Sequence, residues 1–281
     1  MLTFLYTKLD DAFPEQVMGR PRQTTDAELV CIALAGALAG QTSERRWLRR
    51  ARREVGHLFP SIPSGAQYNK RLRALVEMFK LAIDLLALEY PDFEQALLLL
   101  DTTPISCGRS LTTIQHSDLA GTAKRGFCAA YERYYWGFKL VYLCTPEGFP
   151  VAYELVPANT DDRDALRVLL GLAKIEGRII IADRGFRDQK LEAEIIELGG
   201  VLLRPSFRKE KLKHPDLKRV RQWVESVFAT LKGQLTLEQH GGRTIAGVST
   251  RVIQRICALS AALWFNNLCG QPGRHLTAYE G

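Results

Sequence analysis

The stretch ALLLLD, residues 96–101, and its counterpart RIIIAD, residues 178–183, decide how this chain folds. Each is a short, wholly apolar run that closes on an aspartate. Such a run suits a strand covered on both faces, so helices are expected on either side of a sheet. In open α/β sheets the carboxyl ends of these strands are where ligand sites gather. If the two strands lie side by side, Asp101 and Asp183 face each other across a cleft. Two ionised carboxylates that close repel, and one takes up a proton unless a cation lies between them. Their hard oxygens suit magnesium or manganese. The plainer alternative is that each aspartate ends a strand and caps the turn after it.

Outward from these runs, strands alternate with helices. YYWGFKLVYLCT (134–145) and PVAYELV (150–156) are aromatic and β-branched, and the turn PEG joins them as a hairpin. Asp161 to Lys174 reads as an amphipathic helix with an acidic first turn, and Asp188 to Leu198 as another, closed by Gly199 and Gly200. The strand VLLRP follows, then helices from about Lys218 to Gly233 and from about Gly247 to Asn267. The order β-β-β-α-β-α-β-α predicts an α/β fold, a mixed sheet with crossover helices. Upstream, Thr25 with Glu28 and Ser64 with Gln67 are capping boxes that open helical runs. Between them lies TSERRWLRRARREVGHLF, closed by the breaker FPSIPSG. The boundary is placed at Pro91-Asp92, giving an all-helical module over 1–92 and an α/β domain with a C-terminal helix over 93–281.

With 281 residues, 46% of them hydrophobic, the chain can bury a full-sized core. The net charge of +7 makes a polyanionic partner plausible, and its distribution is more informative than its size. Ten basic residues face three acidic ones between Gln41 and Lys80, and eight face two between Val201 and Arg221. The six cysteines form no C-x-x-C pair, which argues against a structural zinc site and for reduced, packed thiols. No run of about 18 apolar residues occurs, and the start lacks the basic and small-residue marks of a signal peptide. A cytoplasmic protein without membrane contact is expected.

A third carboxylate stands in RQWVESVFATLK. At roughly 100° per residue, Val224, Val227, Phe228 and Leu231 form an apolar stripe, and Arg221, Glu225 and Lys232 share its edge. The alternative is a solvated face with an Arg-Glu pair at i, i+4.

DTTP, YWGFKL, PANTDDRDA, IADRGF and the R-x-x-x-E-x-x-x-x-x-x-K of Arg221, Glu225 and Lys232 follow one another in that order. Over about Leu97 to Asn267 this set resembles the catalytic domain of bacterial insertion-sequence DDE transposases, which has a ribonuclease H-like fold. The resemblance implies that Asp101, Asp183 and Glu225 are catalytic and hold two divalent ions, Mg2+ or Mn2+. It implies cleavage at the ends of an insertion element and joining of the 3′-hydroxyl ends to target DNA, by hydrolysis and then transesterification at one site. Arg184, Arg221, Lys232 and the Lys139 of YWGFKL become phosphate-binding cations. The implied partners are terminal inverted repeats and target DNA, bound by a homodimer. The sequence departs from the family's pattern at Lys218, where many members have tyrosine, and at Arg184 and Phe186, which replace a lysine and a tyrosine. Only 42 positions separate Asp183 from Glu225, too few for the extra β-rich domain that some relatives insert there. A nuclease without strand transfer, and a non-catalytic DNA-binding regulator, are the alternatives.

Two basic segments suit DNA phosphates. Arg45, Arg46, Arg49, Arg50, Arg52 and Arg53 crowd one helix, which with the next could make a helix-turn-helix; a solvated bundle face is the alternative. Arg204, Arg208, Lys209, Lys211 and Lys213 would run DNA past the carboxylates, or form a solvated loop. Lys124 and Arg125 with Phe127, Tyr131, Tyr134, Tyr135 and Trp136 could stack on a distorted DNA end. Core packing is the other reading of those rings.

Overall fold

The computed structural model describes residues 1–14, 22–128, 132–206, 217–274 and 276, and gives the backbone alone for Leu111, Lys218, Arg219 and Arg221. Tyr131, Arg208, Lys209, Lys211 and Lys213 therefore lie outside the described residues or side chains. Contacts group Pro91–Ala229 as one unit, and Met1–Tyr90 with Thr230–Gly281 as another.

The first unit is a mixed sheet with helices on both faces. Its strands are β1 (Leu97–Gly108), β2 (Lys124–Cys128), β3 (Arg133–Cys144), β4 (Pro150–Pro157), β5 (Ile179–Ile181) and β6 (Val201–Leu203). They run in the order β2-β3-β1-β5-β6, with β4 also paired to β3. β1 pairs antiparallel with β3, while β1, β5 and β6 are parallel. The expected hairpin is β3 and β4, joined antiparallel. Two elements were not read from the sequence: β2 and the short helix α6 (Leu111–His116). KRGFC has too little apolar alternation to announce a strand, and its pairing with the start of β3 makes it one.

Strand alternation sorts the side chains. Leu98, Leu100, Val141, Leu143, Ile180 and Ala182 join one core with Ala165, Leu166 and Leu169 of α7 (Asp162–Leu170) and Leu191 and Ile195 of α8 (Gln189–Glu197). Each fully buried aliphatic chain there contributes about 1.5–3 kcal/mol. Arg167 on α7 ties that layer together, reaching Asp188 at the cap of α8 and Glu194 within it, both at 2.9 Å. On the opposite face α9 (Lys218–Ala229) buries Val224, Val227 and Phe228, and the Phe228 ring lies 6.0 Å from that of Tyr142 on β3.

In the second unit α1 (Leu2–Ala12), α2 (Asp26–Leu38), α3 (Glu44–Glu54), α4 (Gly65–Ala74), α5 (Val76–Ala87) and α10 (Ile245–Leu268) pack together. Both capping boxes form, at Thr25 and at Ser64. α2 is buried from Ala27 through Ala37, and α10 is buried around nearly its whole circumference, as helices apolar on every side must be. α10 packs on α2, α4 and α5, and the Gln254 side-chain amide donates to the Ala33 carbonyl at 2.6 Å. The C-terminal helix, which the sequence pattern assigns to the α/β domain, thus has its main contacts among the N-terminal helices. Among the described residues no helix is long and apolar enough to cross a membrane.

Candidate active site

The last parallel pair between β1 and β5 is Leu99 with Ile181. Asp101 and Asp183 each stand two residues further on, so they lie at matching heights past the end of the β1–β5 ladder. Because Leu98, Leu100, Ile180 and Ala182 point into the α7–α8 core, the period of two turns Leu99, Asp101, Ile181 and Asp183 toward α9. There Glu225 completes a narrow cleft of about 20 Å³ that Asp101, Asp183, Val220 and Val224 also line. The three carboxylates therefore come from three elements to one place.

β1 does not end at Asp101. Its contact with β5 stops at Leu99, but its other edge stays paired with β3 as far as Gly108, and Asp101 sits opposite Tyr142. The apolar run ends where cover on one side ends, and the strand continues on the remaining ladder. Asp101 accepts a 2.7 Å hydrogen bond from the Thr102 amide. Asp183 accepts one of the same length from the Gly185 amide, capping the short turn Arg184–Phe186. Asp183 is therefore a turn cap and a cleft carboxylate together.

Gly185 brings in a residue to which the sequence reading gave no role. A Cβ at this position would stand 2.9 Å from Asp183 Oδ1 and 3.4 Å from Asp162 Oδ2. Asp162 opens α7 and pairs at 2.5 Å with Lys139, whose ammonium also donates to the Thr160 carbonyl at 2.9 Å. Lys139 shares the strand parity of Val141 and Leu143, so it emerges on the α7 face, away from Asp101. Its charge braces the start of α7 beside the Asp183 turn. The only sequence signal for Asp162 was its place in PANTDDRDA.

The other cations belong to several elements. Arg184 is exposed at the head of the turn after Asp183. Arg221 lies on α9 with its backbone alone described. Past Ala229 the helix widens to a π turn over Thr230–Gln234, where Lys232 lies 3.5 Å from Glu238. A 100° step no longer holds there, so the shared-face argument does not extend to Lys232. On α3, Arg45, Arg46 and Arg49 are exposed and have no ion pair among the described residues, whereas Arg50 pairs with Glu54 at 2.6 Å. Arg52 is used internally, donating to the Leu48, Ile62 and Pro63 carbonyls. Residues 55–64 separate α3 from α4, which is longer than the roughly three- to four-residue turn of a helix-turn-helix.

Three carboxylates on one cleft are a donor set that fits a hard divalent cation in kind. Among the described residues, however, no three His, Cys, Asp or Glu side chains already stand as a metal-holding group. The cleft has room for about one water-sized species. Glu225 is exposed, so its rotamer can change to converge on an ion without disturbing the core.

A family model described as the transposase DDE domain matches residues 92–261. Among solved structures, a piggyBac transposase synaptic complex with hairpin DNA, determined by cryo-EM, aligns at 11% identity and a TM-score of 0.43. That alignment covers 99% of this chain and 74% of the other. No curated protein matches the chain.

Proposed function

This chain belongs to the transposase DDE domain family, and from that premise we propose that it cleaves DNA at the ends of an insertion element and joins the 3′-hydroxyl ends to target DNA. The observation that carries the proposal is the convergence of Asp101, Asp183 and Glu225, from β1, the turn after β5 and α9, on a single cleft. Asp101, Asp183 and Glu225 would hold two divalent ions, magnesium or manganese, with the exposed Glu225 turning inward and the cleft, now sized for about one water, opening to admit them. Such ions, when bound, activate an attacking oxygen and stabilise a leaving one.

The protein's own part is positioning and charge. The Gly185 amide fixes Asp183, the Lys139–Asp162 pair braces the adjacent helix start, and Arg184 is exposed where it can meet a phosphate. Hydrolysis and strand transfer would use the same carboxylates in turn, with water and then a DNA 3′-hydroxyl as nucleophile. Arg45, Arg46 and Arg49 would bind the phosphate backbone of the terminal repeats, and that contact weakens steeply with salt. Acting on two ends calls for a homodimer.

The test is cleavage of DNA carrying the sequence that flanks the gene, with magnesium, followed by transfer of a 3′-hydroxyl end into a plasmid. Wild type is expected to cut and join, chelation to stop both until magnesium is restored, and Asp183→Ala and Glu225→Ala to abolish both. Undiminished cleavage by either variant sinks the assignment. Cutting without joining would make the protein a nuclease.

A further inference from the structure

A second cavity, of about 420 Å³, opens where the far end of β1 meets β2 and β3. That volume is in the range of small-ligand sites and far too small for a duplex. It is lined by Arg109, Arg125, Arg133, Tyr134, Tyr135 and Trp136, and by no acidic residue among the described ones, and strand pairing sets Arg125, Tyr134 and Trp136 on one face. Arg109 and Arg125 have no ion pair among the described residues, so neither charge is already spent. Trp136 is buried and serves as wall. Tyr134, by contrast, is 79% exposed and meets Phe127, 55% exposed, in a tilted contact, with ring centroids 5.1 Å apart and planes 57° to one another. Two neighbouring rings left in water beside the Arg109 and Arg125 guanidiniums suit a ligand with both a π face and a phosphate.

We propose that this pocket takes one unpaired nucleotide of the DNA, its phosphate on Arg109 and Arg125 and its base against Tyr134. The proposal rests on the DNA-acting reading above and deepens it. Gly108 lies seven residue steps along the strand from Asp101, roughly 23 Å at ~3.3 Å per step. DNA lying along β1 would present to the pocket a nucleotide about seven positions from the scissile phosphate, at ~3.4 Å per nucleotide.

The test is fluorescence anisotropy of the full-length protein with a single-stranded oligonucleotide of mixed sequence, in chelator so that no cleavage occurs. Tyr134→Ala should weaken binding ~10-fold, and Tyr134→Phe should restore it, because the stacking face is kept. The Arg109→Ala/Arg125→Ala double variant should reduce the slope of log affinity on log salt by ~1.4, the loss of two phosphate contacts to a single strand. Wild-type affinity in Tyr134→Ala, or an unchanged slope in the double variant, overturns the proposal. Tyr134 is on the surface, so misfolding does not cloud the first comparison, and circular dichroism checks the second. The metal-dependent cleavage assay is read separately: oligonucleotide binding that Tyr134→Ala weakens, in a protein that never cuts, keeps the pocket and removes the transposase reading.

Discussion

Gly185 sits where a single methyl group would press on the carboxylate of Asp183 and reach that of Asp162. At 2.9 Å from Asp183 Oδ1, the methyl of Gly185→Ala must push that carboxylate aside or shift the turn that it caps. Moving the carboxylate leaves the buried core alone, whereas shifting the turn would also move Phe186, which is buried in it. The carboxylate is the softer element, so thermal stability should stay near wild type while cleavage falls roughly 10- to 100-fold, the usual effect of a displacement of about 1 Å at a reacting centre. Rates measured alongside a melting curve decide it; a parallel loss of stability and rate would mean that the turn is only structural. Lys139 makes the complementary point. As a phosphate ligand it would show its loss chiefly in salt-dependent DNA affinity, whereas its pairing with Asp162 predicts that Lys139→Met lowers the rate and leaves the salt slope unchanged.

Among the elements, α2 and the α7–α8 layer give the clearest expectations. Removing the Thr25 cap, whose hydroxyl accepts from the Glu28 amide at 3.1 Å, should cost about 1 kcal/mol in Thr25→Ala. Gly36 on the same helix faces the Trp47 indole so closely that an added Cβ would come within 2.8 Å of its Nε1. That nitrogen donates to the Ile32 carbonyl at 2.9 Å, so Gly36→Ala should strain or break a buried bond and cost about 1–3 kcal/mol by chemical denaturation. In the α7–α8 layer, the Arg167 guanidinium holds the Asp188 carboxyl below its ordinary range. A carboxyl whose folded-state pKa is depressed contributes stability above its unfolded value and loses it as pH falls through the acid limb. Asp188→Asn should therefore flatten the acid side of the stability–pH curve below about pH 4 and leave its shape near neutrality alone.

For the molecule as a whole, the decisive feature is that α10 packs on α2 and α5, while more than 150 residues separate it from them in the chain. A fragment of residues 1–92 would expose the apolar surface that α10 covers, so circular dichroism should find it poorly folded alone, and adding residues 230–281 in trans should restore helix content. A fragment that folds cooperatively without α10 would refute this. The sequence by itself determined the mixed sheet, both capping boxes and the two aspartates, because apolar runs, caps and their end residues are local signals of period and composition. It also pointed to Glu225, though mainly through resemblance to a family, since a glutamate between Val224 and Ser226 on a helix edge carries little local mark. Tertiary structure decided the rest. The continuation of β1 past Asp101, the existence of β2, the inward commitment of Lys139 and the partners of α10 all depend on which edge or face a distant segment covers, and no window of sequence holds that information.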